Sequence, residues 1–172
     1  MNDFILQGFS VQGVIGSPGG SPDFTYTIGL QLSVDHPDLI IIGLPFDSSA
    51  QYLGHAFHSI DKASFRFKPG QQLNNFISDY PMAVVQCRAD VFDTHLCQAK
   101  FLYEGLNPPF RKPLSAFQLV FCDKQRRYPW DAGYTKEKCP QPLLGCAPLS
   151  LEDVDMEPFL SAANTAIERE FN

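Results

Sequence analysis

The sequence predicts an α+β fold: a single domain with a mostly antiparallel or mixed five- to six-stranded sheet, roughly the usual size, open or barrel-like, with about two to three packed helices. Three observations predict it. Asp38-Leu39-Ile40-Ile41-Ile42-Gly43-Leu44-Pro45 is a short unbroken apolar run, β-branched at its centre and closed by Gly and Pro, the pattern of a strand buried on both faces. Phe46-Asp47-Ser48-Ser49 then supplies capping-type residues, and Leu53, Ala56, Phe57 and Ile60 follow at the i, i+3, i+4, i+7 spacing of one buried helical stripe. Several other segments alternate apolar and polar residues with the period of a half-buried strand.

In chain order, Phe9, Val11, Gly13 and Ile15 alternate with Ser10, Gln12 and Val14 as a first strand. Residues 16–22, rich in Gly, Pro and Ser, form a loop. Phe24, Tyr26, Ile28 and Leu30 alternate with Thr25, Thr27 and Gly29 as a second strand, where Gly29 marks a bulge or a close approach. After a turn across 31–37 comes the apolar run, and a helix over 48–62 folds back on it, with His55 and His58 on a solvated face. Ser64 to Leu73 reads as a short strand holding Phe65 and Phe67, with Pro69-Gly70 as a turn signature. Met82 to Val91 alternates as a strand with a wet face, carrying Gln86, Arg88 and Asp90 outward. Asp93-Thr94 can cap a helix to Glu104 that Gly105 and Asn107-Pro108-Pro109 stop, and Phe117, Leu119 and Phe121 mark the next strand. Residues 123–148 read as a long loop, which inside a compact domain is either functional or packed over something. Pro158 opens a terminal helix with Phe159, Leu160, Ala163, Ile167 and Phe171 on one face.

A chain of 172 residues is long enough for one sizeable core, and 44% apolar with 19% charged residues excludes disorder. The net charge of −6 disfavours nucleic-acid and anionic-membrane partners. No run approaches the roughly 18 apolar residues of a bilayer span. The five cysteines are odd in number, none lies in a Cys-x-x-Cys pair, and the chain starts without a signal-type stretch. Reduced thiols in a cytoplasmic protein are the expectation.

The chemistry is sparse. His55 and His58 sit at metal-sharing spacing, but no third ligand is placed to complete a site, so no metal is expected. Cys122 beside Asp123 at a strand end reads as an inert core thiol rather than a nucleophile, because no partnering His signature accompanies it. Ser17-Pro18-Gly19-Gly20-Ser21 matches no phosphate-binding pattern. No catalytic residue and no cofactor is expected. Lys124, Arg126 and Arg127 form a basic patch beside Tyr128 and Trp130, most simply a solvated turn with its rings folded inward. One candidate site is left, formed if the Tyr26-Thr27 strand meets Asp123, Arg127, Tyr128 and Trp130. Rings with a few fixed polar groups are what a ligand pocket or binding hot spot uses.

Phe24-Thr25-Tyr26-Thr27-Ile28-Gly29-Leu30, then His36-Pro37-Asp38-Leu39 and Gly43-Leu44-Pro45, resemble the bacterial domain of unknown function 4262 family. In that family a Tyr-Thr-x-Gly-Leu segment precedes Pro-Glu-Leu and Gly-Leu-Pro. Phe117 to Asp123, Tyr128-Pro129-Trp130-Asp131-Ala132-Gly133-Tyr134 and Gln141-Pro142-Leu143-Leu144-Gly145 are similar to its second signature. This chain has Phe121-Cys122-Asp123 where the family usually has Trp-Pro-Asp, and Pro37-Asp38 where it has Pro-Glu. The resemblance implies fold and a bacterial setting, and transfers no chemistry. Two functional expectations stand side by side. One is a non-enzymatic binding protein with a protein partner, for example an immunity-type protein that neutralises a basic toxin. The other is a small-ligand or flavin-like cofactor protein or enzyme on a barrel-like sheet.

Overall fold

The apolar run forms β3 (Asp38–Ile42), and all five of its residues are buried. The computed structural model describes residues 8–17, 19–77, 80–136 and 140–170. β3 lies inside one open seven-stranded sheet of order β1-β2-β3-β6-β5-β4-β7. The other strands are β1 (Ser10–Val14), β2 (Phe24–Ile28), β4 (Gln71–Ile77), β5 (Tyr80–Gln86), β6 (Ala116–Phe121) and β7 (Glu152–Asp155). The helices are α1 (Leu30–Ser33), α2 (Phe46–Asp61), α3 (Val91–Thr94), α4 (Cys97–Glu104) and α5 (Glu157–Glu170). β3 pairs with β2 antiparallel and with β6 parallel, and the β4–β7 pair is also parallel. The sheet is therefore mixed, and it does not close into a barrel.

Strand alternation distributes the core over two faces. Leu39 and Ile41 of β3, with Leu73, Val84 and Leu119, point toward α2 and α5, where Leu53, Phe57 and Ile60 meet them. Ile40 and Ile42 point the other way, toward Val91, Leu96, Ala99 and Tyr103 of the α3–α4 segment. On that second face, Val85 and Val120 are covered instead by the long segment after β6, through Tyr128, Trp130 and Leu143. The segment is thus a packed cover. Gln118 of β6 fastens it: its Nε2 donates to Pro142 O at 3.0 Å, and Leu144 N donates to its Oε1 at 2.8 Å.

Several expectations need correction. The sheet has seven strands because β7, whose Glu-Asp-Val-Asp sequence carries a single apolar residue, adds an edge without an alternation signal. β4 begins after the Pro69-Gly70 turn rather than at Ser64; Phe65 and Phe67 are buried anchors in an irregular segment. β5 ends at Gln86, and residues 81–85 are buried on both faces; Gln86 is exposed at its end, and Arg88 and Asp90 lie beyond the strand. Leu30 starts α1, because Gly29 turns the chain out of β2 with φ 101°. Neither Ser48 nor Asp93-Thr94 caps a helix: α2 starts at Phe46 behind Pro45, and α4 starts at Cys97 behind Leu96, with no side-chain cap at either. His55 and His58 do not face open solvent; with Leu160, Ala163 and Asn164 they line a cavity of about 90 Å³ between α2 and α5. Pro18, Cys139 and Phe171 lie outside the described residues.

Candidate functional site

β3 and β6 pair from Asp38↔Ala116 to Ile40↔Gln118 and no further. Past that point Phe121 has its β3-side backbone groups met by a side chain. Phe121 N donates to Gln141 Oε1 at 3.0 Å, and Gln141 Nε2 donates to Phe121 O at 2.9 Å and to Tyr134 OH at 2.9 Å. The β3 end passes close beneath this insertion: a Cβ on Gly43 (φ 86°) would lie 2.7 Å from Pro140 O. The carboxyl ends of neighbouring parallel strands are where open α/β sheets place ligands. Here the chain fills that opening on one face with its own glutamine.

On the α2 face the same strand ends border an open cleft of about 290 Å³. Its wall is apolar and aromatic, from Leu44, Tyr52, Ile77, Tyr80 and Phe121, with Ser48, Asp123 and Lys124 as polar members. Tyr80 is exposed there. Asp123 is only 6% exposed and its carboxylate is saturated. Oδ1 accepts from Gln125 N (2.8 Å) and Arg127 N (2.9 Å), and Oδ2 accepts from Arg127 Nε (2.9 Å), with the other guanidinium nitrogen at 2.8 Å. Burial alone would raise its pKa; the Arg127 backbone and guanidinium and the Gln125 N–H outweigh it and hold the carboxyl below its ordinary range. Asp123 therefore builds the turn and brings no spare acceptor to a ligand.

Directly after this turn Tyr128 stacks on Trp130, with centroids 4.8 Å apart and planes 14° from parallel. The Tyr128 hydroxyl donates to Gln72 Oε1 at 3.0 Å, and burial pushes its pKa up. Asp123, Arg127, Tyr128 and Trp130 do come together as one turn. Tyr26 and Thr27 do not join them: β2 is separated from β5 by β3 and β6, and Tyr26 packs in the cluster under α4.

Thr27 belongs to a different polar group, one that residue order alone does not single out. Its Oγ1 donates to Asp38 Oδ1 at 3.0 Å and accepts from Leu39 N at 2.8 Å. Leu30 N donates to the same carboxylate oxygen at 3.2 Å, and the Tyr103 hydroxyl donates to Asp38 Oδ2 while accepting from Gly29 N at 3.1 Å. Burial drives the Asp38 carboxyl up to about 6, against the downward pull of the Tyr103, Leu30 and Thr27 hydrogen bonds. The Tyr103 hydroxyl is pushed up by burial and by the neighbouring carboxylate. The available signal was a carboxylate opening an apolar run, since such a group must find donors when buried. Asp38 is fully buried, so this network ties β2, β3, α1 and α4 together and does not contact a ligand.

Among the described residues no group of three or more His, Cys, Asp or Glu is placed to hold a metal ion. Burial holds the pKa of His55 and His58 down. No described helix is long and apolar enough to cross a membrane. No curated protein and no solved structure matches the chain. The model of a family described as a domain of unknown function, DUF4262, does match, over residues 6–135, a span that takes in β1 to β6 and the Asp123–Arg127 turn and stops short of Gln141. The chain belongs to the DUF4262 family.

Proposed function

We propose that this chain acts by binding a protein, and that the cleft beside α2 receives an apolar side chain of that partner. One observation carries the reading: the cleft combines an accessible apolar and aromatic wall with a carboxylate whose hydrogen-bonding capacity is already used by its own turn. Such a surface rewards burial of an apolar anchor and offers no spare acceptor at Asp123 for chemistry. The volume of about 290 Å³ falls at the lower limit of small-molecule pockets, roughly 300–1,000 Å³, which favours a side chain over a whole cofactor. The net charge of −6 suits a basic partner, and an immunity-type protein that neutralises a toxin in the cytoplasm is one concrete form.

Capture of a partner by the tagged chain, repeated with Tyr80→Ala and with Trp130→Ala, tests this. Tyr80 lines the cleft, whereas Trp130 stacks over the opposite face. The expected result is a specific partner lost with Tyr80→Ala and retained with Trp130→Ala. The reverse pattern moves the contact to the aromatic turn, and capture unaffected by Tyr80→Ala overturns the cleft reading. A flavin-like ligand in the same cleft would instead give the purified protein visible absorbance.

A further inference from the structure

α5 closes the α2 side of the sheet with a light seal. Of its 14 residues only Ala163 is buried, while Phe159 and Leu160 near its start are half-buried. It lies on α2 and β4, beyond the span that the family model matches. The cavity of about 90 Å³ in the α2–α5 seam sets His55 and His58 of α2 against Leu160, Ala163 and Asn164 of α5. Both imidazoles are half-buried there, and His58 Nδ1 is buried with no hydrogen-bond partner. A proton added at that nitrogen has no protein acceptor waiting for it. The charged and titratable groups that face the two rings are each other, Asp61 and Lys62 from the α2 side, and Glu170 from α5. Lys62 already pairs with both Asp61 and Glu170, so neither carboxylate is free to offset a charged imidazole. On its opposite face α2 meets the apolar core through Leu53, Phe57 and Ile60.

We infer that α5 is a strap that acid releases: proton uptake by His55 and His58 opens the α2–α5 seam, and α5 swings off α2 on a β7 that stays paired. The sign follows from burial, which holds both rings below the ordinary 6.5 and at His58 outweighs the upward pull of Asp61 and Glu170. In the opened seam the rings return toward 6.5. The closed form is therefore fully held above that value and loses ground as the pH falls below it. β7 does not follow in the same window. The amides of Asn74 and Gln72 hold the Asp153 carboxyl below 3.8, and that of Asn75 does the same for Asp155, so these ties to β4 stay charged when the imidazoles change state. Release bares the histidine face of α2 and the ring of Phe65, which lies 4.6 Å from that of Phe159 in the closed form.

Hydrogen exchange of the full chain at about pH 7.5 and about pH 5, corrected for intrinsic rates, tests this. The α5 amides are expected to lose protection by at least about tenfold at the lower pH, while those of β3 and β7 keep theirs. The double substitution His55→Gln with His58→Gln keeps α5 protected at both values; the sites are half-buried, and its melting temperature at neutral pH is checked in parallel. Glu170→Gln removes the pair with Lys62 and leaves the acid response in place. In the unaltered chain the imidazole resonances titrate with midpoints below 6.5, in step with the loss of α5 protection. Protection of α5 that does not change with pH overturns the proposal, as does an acid loss that the double variant retains. An acid loss that vanishes with Glu170→Gln overturns it too, by placing the sensor in the ion pair.

Discussion

Asp38 and Asp123 are both nearly sealed from water, at 0% and 6% exposure, and both carboxylates are surrounded by donors, yet their acidities move in opposite directions. Thr27, Leu30 N–H and Tyr103, which bond Asp38, are all neutral, so the cost of burying a charge dominates there. Asp123 has the Arg127 guanidinium against it, and the same cost is outweighed. At Asp123 the backbone N–H groups of Arg127 and Gln125 act together with the Arg127 guanidinium and outweigh burial, whereas at Asp38 burial outweighs the donors. The two sites also differ in reach. Asp38 joins residues 11 and 65 positions away, whereas the Asp123–Arg127 ion pair spans four.

If Asp38 is the wider tie, removing it has the largest effect. Asp38→Ala leaves the Thr27 and Tyr103 hydroxyls and the Leu30 N–H without their acceptor, and should cost about 3–5 kcal/mol in denaturant unfolding. A loss below about 1 kcal/mol would erase the distinction between the two sites. The next effect is on pH dependence. The folded-state pKa of Asp38 is about 6 against 3.8 for the free group, so its contribution is fully present below about 3.8 and is lost as the pH rises through about 6. Relative to Asp38→Asn, the wild type should gain on the order of 2–3 kcal/mol as the pH falls across that window, read from unfolding curves at successive pH values. A flat difference would mean that burial does not control this carboxyl. The smallest effect belongs to Arg127→Met. Asp123 has a depressed folded pKa, so its contribution is present above 3.8 and is lost as the pH falls through the folded value. The variant should melt slightly lower at neutral pH and lose that acid sensitivity, with the sheet unchanged by circular dichroism.

The parts of the fold that were legible beforehand are those where burial writes itself into residue order. β3 and α2 are such parts: an unbroken apolar run and a four-residue stripe admit few other readings. β7 was illegible because what holds its polar residues is remote: Asp153 accepts from Gln72 and Asn74, and Asp155 from Asn75, about 80 residues away. Phe65 and Phe67 imitated a strand because two buried rings around a polar residue produce the same period whatever the backbone does. For the site, the Asp123–Trp130 turn was readable as a local cluster. The cleft was not, since its wall draws on Leu44 after β3, on α2, β4, β5 and β6, and on the turn after β6. Gln118 sits between Phe117 and Leu119, where alternation would place an outward polar residue, and only the cover laid over it reveals that it is fully buried.

Gln118 and Gln141 are both uncharged, and between them they anchor the cover to the strand beneath through four hydrogen bonds. Amides do not titrate near neutrality and offer little for dissolved ions to screen. Brine or mild acid that weakens the surface ion pairs of Lys62, Lys100 and Lys112 should therefore leave this lid seated. Shortening either glutamine by one methylene, as Asn would, threatens it more than any change of buffer.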